Sequence, residues 1–412
     1  MSHRWLLILF FIASTATCLS QDRTLDYYLQ QGVANSPLMK DLANQVHSNT
    51  LDSLIVKATR LPQVNFNGTL SYAPVVNGYG YSEAITNGGN FTSLVNVSQP
   101  LFNNKTAEAQ YSKIGLLNRS LVNTTALSER DLKKSITAQF LAACAVFSDL
   151  SFNQVLISQA RDEEKMLESM VKSGLYKQTE YLSFMLELET LEFQWNDLQT
   201  QYQHALSDLN LMCGISDTNT CKLSIPDLGP KGQARESGSI FFQRFVIDSL
   251  RIRNDLLLTD RGYKPKMGWY TDAGMVNTDP STVYKNFGMS FGLSISVPVF
   301  DGNQRKINLE KLKTSESTRL NYRDFFRVQY LQQVHQLNLS LKQTNDLLPR
   351  LQKQLDLAES IIRQDKQLLN NGGISITDYI IALKNYIAIQ SNLNQYRIRV
   401  LQIINELNYW KD

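Results

Sequence analysis

The four histidines, His3, His47, His204 and His335, stand isolated in the chain, so the sequence suggests neither a metal cluster nor a Ser/His/Asp set. No P-loop, dinucleotide fingerprint or Cys-x-x-Cys occurs. Carboxylates scattered along helical segments read as solvated faces rather than acid/base pairs. No enzyme, cofactor or metal is expected on these grounds. Two acids do hold a repeated position: Glu180 lies six residues after Gly174, and Asp378 six after Gly372. Read from residue types alone, Gly174, Gly372 and Gly373 make tight turns, and Asp378 caps the helix that follows, with Ser375 or Thr377 assisting.

The elements that carry these turns differ sharply in period. Residues 286–300 read NFGMSFGLSISVPVF, with Phe287, Met289, Phe291, Leu293, Ile295, Val297 and Val299 at odd positions and only Gly, Ser or Pro between them. A period of two is a strand with one apolar and one small, polar face. Further strands are expected at about 63–73, 91–101 and 265–276. A strand of thirteen residues crosses a hydrocarbon core of ~30 Å at a tilt of about 45°. A soluble sandwich would need a second sheet over the oily face, and no strands are left to form it. Apolar side chains toward lipid with Gly and Ser toward water describe a transmembrane β-barrel strand. Four strands cannot close a barrel, and an open edge in lipid is forbidden, so several copies must share one.

The helices have a period of 3.5. Phe184, Leu188, Leu191, Trp195, Leu198, Tyr202, Ala205, Leu209 and Met212 follow alternating 4,3 spacing, as do Ala382, Tyr386, Ile389, Leu393, Tyr396, Val400, Ile403, Leu407 and Trp410. The two series are related by an offset of 198 residues, which also aligns Pro100 with Pro298, Phe102 with Phe300 and Gly174 with Gly372. That offset predicts an internal duplication. Its parts are a first repeat over 21–216, a linker over 217–236 and a second repeat over 237–412, each with a helix, a β-hairpin and a long helical hairpin. From about Asn303 to Asn370 only Pro349 interrupts the helical pattern, which gives a rod of about 100 Å, kinked at the proline.

Composition agrees with an exported protein of ordinary charge. The 412 residues are 43% hydrophobic and 19% charged with a net charge of +3, and no basic stripe for nucleic acid is visible. Residues 1–20 form an export signal, cut before Gln21 with Cys18 and Ser20 at the minus 3 and minus 1 positions. Cleavage before Cys18 with lipidation is the rival, against a poor lipobox of Thr15, Ala16 and Thr17. No window of 18 apolar residues follows the signal, so no transmembrane helix is expected. Cys144 is expected to be buried, and Cys213 and Cys221 could pair in an oxidising compartment.

The stretches VSQPLFNN (97–104) and ISVPVFDG (295–302) each end a strand in Pro-x-Phe before a long helix. With the tips SGLYKQTEYLSFM (173–185) and NGGISITDYIIAL (371–383), and the opening TLDYYLQQGVANSPLMK, they resemble the TolC outer membrane efflux family. The resemblance implies a membrane α+β fold: a homotrimer with a 12-stranded β-barrel, four strands per chain, continuous with a 12-helix α-barrel in the periplasm. It also implies an outer membrane exit duct for small molecules, fed by an inner membrane pump of RND or ABC type through a periplasmic adaptor that docks at Gly174, Leu175, Gly372 and Gly373. An exit duct for type I protein secretion is the alternative, and a secreted structural coiled coil a third reading. In related channels the acid at Asp378 contributes to a charged ring at the entrance, followed one helical turn on by another acid. This sequence has Ile381 there, and Glu180 in the first tip.

Overall fold

The computed structural model describes residues 23–82, 88–101, 104–232, 236 and 238–411. The export signal over 1–20 and Phe102 of the Pro-x-Phe motif lie outside the described residues. In order, the elements are α1 (Leu25–Asn35), α2 (Pro37–Ala58), β1 (Gln63–Tyr72), β2 (Gly89–Leu101), α3 (Asn104–Lys172) and α4 (Gln178–Met212). Then follow α5 (Ile240–Gly262), β3 (Lys266–Asn277), a 3-10 turn (Pro280–Lys285), β4 (Phe287–Ser296), α6 (Gln304–Asn370) and α7 (Ile376–Trp410).

The chain forms two compact units. One comprises Asp41–Ala126 and Ile240–Phe326, and contains the sheet. Its strands run β1-β2-β3-β4, all antiparallel, leaving β1 and β4 with free edges. The loops β1–β2 and β3–β4 share one end of the sheet. The first of them tightens at Asn77–Gly78, where both φ angles are positive (53° and 79°) and Val76 and Tyr79 bridge, the geometry that an Asn-Gly hairpin turn needs. Helices α2, α3, α5 and α6 all join the sheet at the opposite end. In this unit Arg244 stacks over Phe245 and Phe326, and Arg319 bonds the Phe245 carbonyl and Glu316, so α5 and α6 are clamped by aromatic and guanidinium contacts.

The other unit comprises the described residues of 1–40, 127–239 and 327–412. It is a helical bundle with two apolar clusters. One gathers Tyr28 of α1, Ile136 and Phe140 of α3, Leu209 of α4 and Ile398 of α7. The second closes the tips, with Leu167 of α3, Phe184 and Leu191 of α4, Leu369 of α6, and Ile376 and Tyr379 of α7. Cys144, Cys213 and Cys221 are free thiols, the first two buried in the first cluster. Burial alone pushes the Cys144 thiol up to about 12 and that of Cys213 to about 11.

Three expectations change. Strand β4 ends at Ser296, which pairs with Lys266, the first residue of β3, so Val297 and Val299 lie beyond the ladder. Pro298 also lacks the N–H that would extend it. Helix α3 does hold an 18-residue stretch apolar enough to cross a membrane by length and composition. The sequence reading missed it because small and aromatic residues are interleaved with Ser and Thr; Phe140, Leu141 and Cys144 of α3 are spent in the bundle core. Along α7 the most buried side chains include Tyr379, Leu383, Asn394, Ile398 and Asn405 rather than the 4,3 seam alone. A bundle helix touches several neighbours, so its buried arc is wider than a two-position stripe.

Candidate functional site

Residues directly opposite in an antiparallel ladder share a face, so the register sorts the sheet. The cross-strand rows Phe66–Val95–Ala273–Met289 and Val64–Val97–Thr271–Phe291 lie on one face, with Leu293 opposite Trp269 and Ile295 opposite Met267. The rows Asn65–Asn96–Asp272–Ser290 and Gln63–Ser98–Tyr270–Gly292 lie on the other. Large apolar side chains on the first face stand in the open: Phe291 is 91% exposed, Met289 78% and Phe66 70%. An apolar area of this extent on a chain demands a cover. The opposite face is lined by amides, hydroxyls and glycines. Ser290 donates to Asp272 at 2.7 Å, and a Cβ on Gly292 would come within 2.7 Å of the Tyr270 ring. At Gly274 a Cβ would come within 2.0 Å of the Ser93 carbonyl oxygen, so β2 and β3 approach there only because the residue is Gly.

The tips are built from turn chemistry. Gly174 (φ 80°) and Gly372 (φ 69°) each reverse the chain in the left-handed region. The Leu175 amide bonds the Met170 carbonyl and the Gly373 amide the Leu368 carbonyl, closing both helices in the same way. Leu175 lies against Gly372, leaving 2.9 Å for a Cβ, so one tip seats on the other. Tyr176 strengthens the contact, its hydroxyl donating to the carbonyls of Leu369 (2.7 Å) and Ile374 (3.0 Å).

Asp378 and Ser375 form a reciprocal cap: the Asp378 amide donates to Ser375 Oγ at 3.1 Å, and Ser375 Oγ donates to the Asp378 carboxylate at 2.7 Å. Ser375 is the N-cap, and Thr377 takes no part in it. Glu180 belongs to the first tip but accepts from the Ile376 amide of α7 at 3.2 Å, placing a negative charge at the positive end of that helix. Asp378 is exposed, Glu180 half-buried and Ile381 54% exposed.

Sequence reasoning missed the charge cluster behind the tips. Glu163 of α3 is 5% exposed, accepts from the Tyr379 hydroxyl of α7 at 2.5 Å and pairs with Lys366 of α6 at 2.9 Å. Burial first, and the Glu163 charge second, hold the Tyr379 hydroxyl far above its ordinary value. Further along the same helices Asn394 donates to Asp149, and Asn405 to the Lys134 carbonyl. Nothing in the run RDEEK distinguishes Glu163 from its acidic neighbours; only the bundle does. Among the described residues no three His, Cys, Asp or Glu side chains converge as metal ligands do.

A sheet that is oily on one face and wet on the other, carried with a long-helix bundle, defines the class: the fold is that of outer membrane channels. It is similar over 93% of the chain to the outer membrane protein VceC from Vibrio cholerae (TM-score 0.73, 12% identity, 96% of that chain). It is similar over 94% to the Neisseria gonorrhoeae MtrE outer membrane channel in its open state (TM-score 0.74, 11% identity, 88% of that chain). The Campylobacter jejuni CmeC outer membrane channel shares it over 95% (TM-score 0.72, 12% identity, 86% of that chain). No curated protein sequence matches the chain significantly. Residues 265–409, from the start of β3 almost to the end of α7, match the family described as outer membrane efflux protein.

Proposed function

We propose that three copies of the chain form a passive exit duct, the outer membrane component of a tripartite export system for small molecules. The observation that carries the assembly is the four-stranded sheet with free edges at β1 and β4 and opposed oily and wet faces. Unpaired edges are forbidden in hydrocarbon and four strands cannot close, whereas three such sheets joined edge to edge make a barrel of twelve strands. The oily face meets lipid and the Asn, Ser and Gly face lines a water-filled lumen. The paired long helices of three copies supply a 12-helix barrel in the periplasm. The exposed tips around Gly174, Leu175, Gly372 and Gly373 receive a periplasmic adaptor, and an inner membrane pump of RND or ABC type supplies the energy. Three Asp378 carboxylates, one per copy, make the entrance negative while still capping their helices. With Ile381 where a second acid would stand, the ring is single.

The test is the mass of the complex in mild detergent. Native mass spectrometry should give three times the chain mass of 46.9 kDa less the signal. A monodisperse monomer that keeps its secondary structure overturns the reading.

A further inference from the structure

The helix-bearing end of the sheet carries a concentration of positive charge that the linear sequence disperses. Four segments meet there: 57–62 before β1, 104–108 after β2, 260–266 before β3 and 297–306 after β4. Together they hold eight basic residues and three acidic ones. At the loop end, among the described residues, there is one of each, Asp279 and Lys285. Arg305 is paired with Asp260, and Arg60 bonds Asn104 at 2.7 Å. Lys57, Lys105, Lys264, Lys266 and Lys306 make no ion pair among the described residues, and all five are exposed.

This collar is tied to the oily face. Gln99 donates to the Arg60 carbonyl at 3.0 Å and accepts from the Trp269 indole N–H at 3.2 Å. Trp269 stands opposite Leu293 on the apolar face, three residues from Lys266. An indole near the end of an apolar strand face, its N–H satisfied, is the arrangement found at the border between acyl chains and headgroups. The free ammonium groups therefore lie at headgroup depth if the apolar face meets lipid, and they lie at one end only.

We propose that this collar binds the phosphates of anionic phospholipids in the leaflet at the helix-bearing end of the sheet, selecting phosphatidylglycerol-type lipid over zwitterionic lipid and fixing the depth of the barrel. The proposal rests on the lipid-facing reading of the sheet. Five unpaired lysines per chain supply ammonium donors for phosphodiester oxygens, and juxtamembrane lysines are drawn to anionic headgroups until salt screens them. The selected leaflet follows from topology, because the loop end has no comparable charge.

The full-length assembled protein, reconstituted in vesicles, reports the contact through Trp269. Quenching by brominated phosphatidylglycerol is compared with quenching by brominated phosphatidylcholine, with Trp269→Phe as the background. Phosphatidylglycerol should associate roughly threefold to fivefold more tightly. That ratio should fall to about one in Lys57→Gln/Lys264→Gln/Lys306→Gln, and in about 0.5 M salt with the native protein, where the screening length is only a few ångströms. A ratio of one in the native protein at low salt overturns the proposal, as does a preference untouched by both salt and the triple substitution. Should the triple variant not assemble, the salt series on native protein decides. Quenching by neither lipid refutes the lipid-facing reading itself, whereas equal quenching by both leaves that reading standing and removes the collar.

Discussion

Phe291 and Ser290 are neighbours in β4 that point to opposite faces, so an arginine at each isolates the facing from everything else about the strand. Ten residues of β4 at about 3.4 Å span ~34 Å, and a tilt near 40–45° reduces this to about 25 Å of height, the thickness of the apolar band of such barrels. Phe291 sits near the middle, 91% exposed, in the row with Thr271, Val97 and Val64. Phe291→Arg thus places a guanidinium at mid-bilayer, a cost of about 2–4 kcal/mol per chain and ~6–12 kcal/mol for a trimer. That is comparable to the whole stability of a domain, at about 5–15 kcal/mol, so little assembled protein should remain. Ser290→Arg turns the same charge toward Asp272, which already accepts from Ser290 at 2.7 Å, and should be tolerated within about 1 kcal/mol. The assay is the fraction of each variant migrating as the oligomer in unheated outer membrane extracts, with urea extraction separating inserted from peripheral chains. Equal loss in both variants, or greater loss for Ser290→Arg, refutes the assignment of faces.

Cysteines placed at Tyr79 or Tyr81, in the β1–β2 loop, should react with an impermeant maleimide in intact cells, and protection of both would reverse the orientation of the sheet. Gly372→Ala should destabilise the tip by about 1–2 kcal/mol, since it combines a positive φ with a 2.9 Å approach of Leu175; Gly174→Ala, with open space around it, should cost about 1 kcal/mol, and thermal unfolding ranks the two. Asp378→Asn should weaken cation selectivity in planar-bilayer recordings, because three carboxylates become neutral while the helix cap survives; unchanged selectivity in an assembled channel would leave Asp378 with its cap alone. The buried thiols set an alkaline limit. Cys144 and Cys213 have folded values of about 12 and about 11, above the ordinary 9.0, so their stabilisation is complete below pH 9 and is lost as pH rises through 11–12. Chemical denaturation at pH 8 and pH 10.5 should show that fall, and Cys144→Ala/Cys213→Ala should flatten it.

Short-range periodicity determined much of this protein. The alternation from Phe287 to Ile295 specifies a strand and its two faces without reference to any partner, because side chains of successive residues must point oppositely. The 4,3 spacing likewise specifies the long hairpin helices, and the glycines at 174 and 372 the places where they reverse. The sequence alone also carried the mismatch between four strands and a closed barrel, since strand number is a count. Partnership across the chain belongs to the tertiary structure. The β2–β3 register joins segments from the two halves of the chain, and it alone puts Trp269 beside Gln99 and Asp272 beside Asn96. Glu180 was legible as an acid near a tip, yet its amide partner Ile376 belongs to the other tip, nearly two hundred residues away. Glu163 became a buried pivot only when α3, α6 and α7 surrounded it, because burial is a property of neighbours and not of the residue. The end of β4 at Ser296 was decided by where β3 begins, since a ladder extends only as far as its partner. The basic collar is the extreme case: its lysines lie on four segments spread over some 250 residues of a nearly neutral chain, and only the return of every strand to the same end brings their charge together.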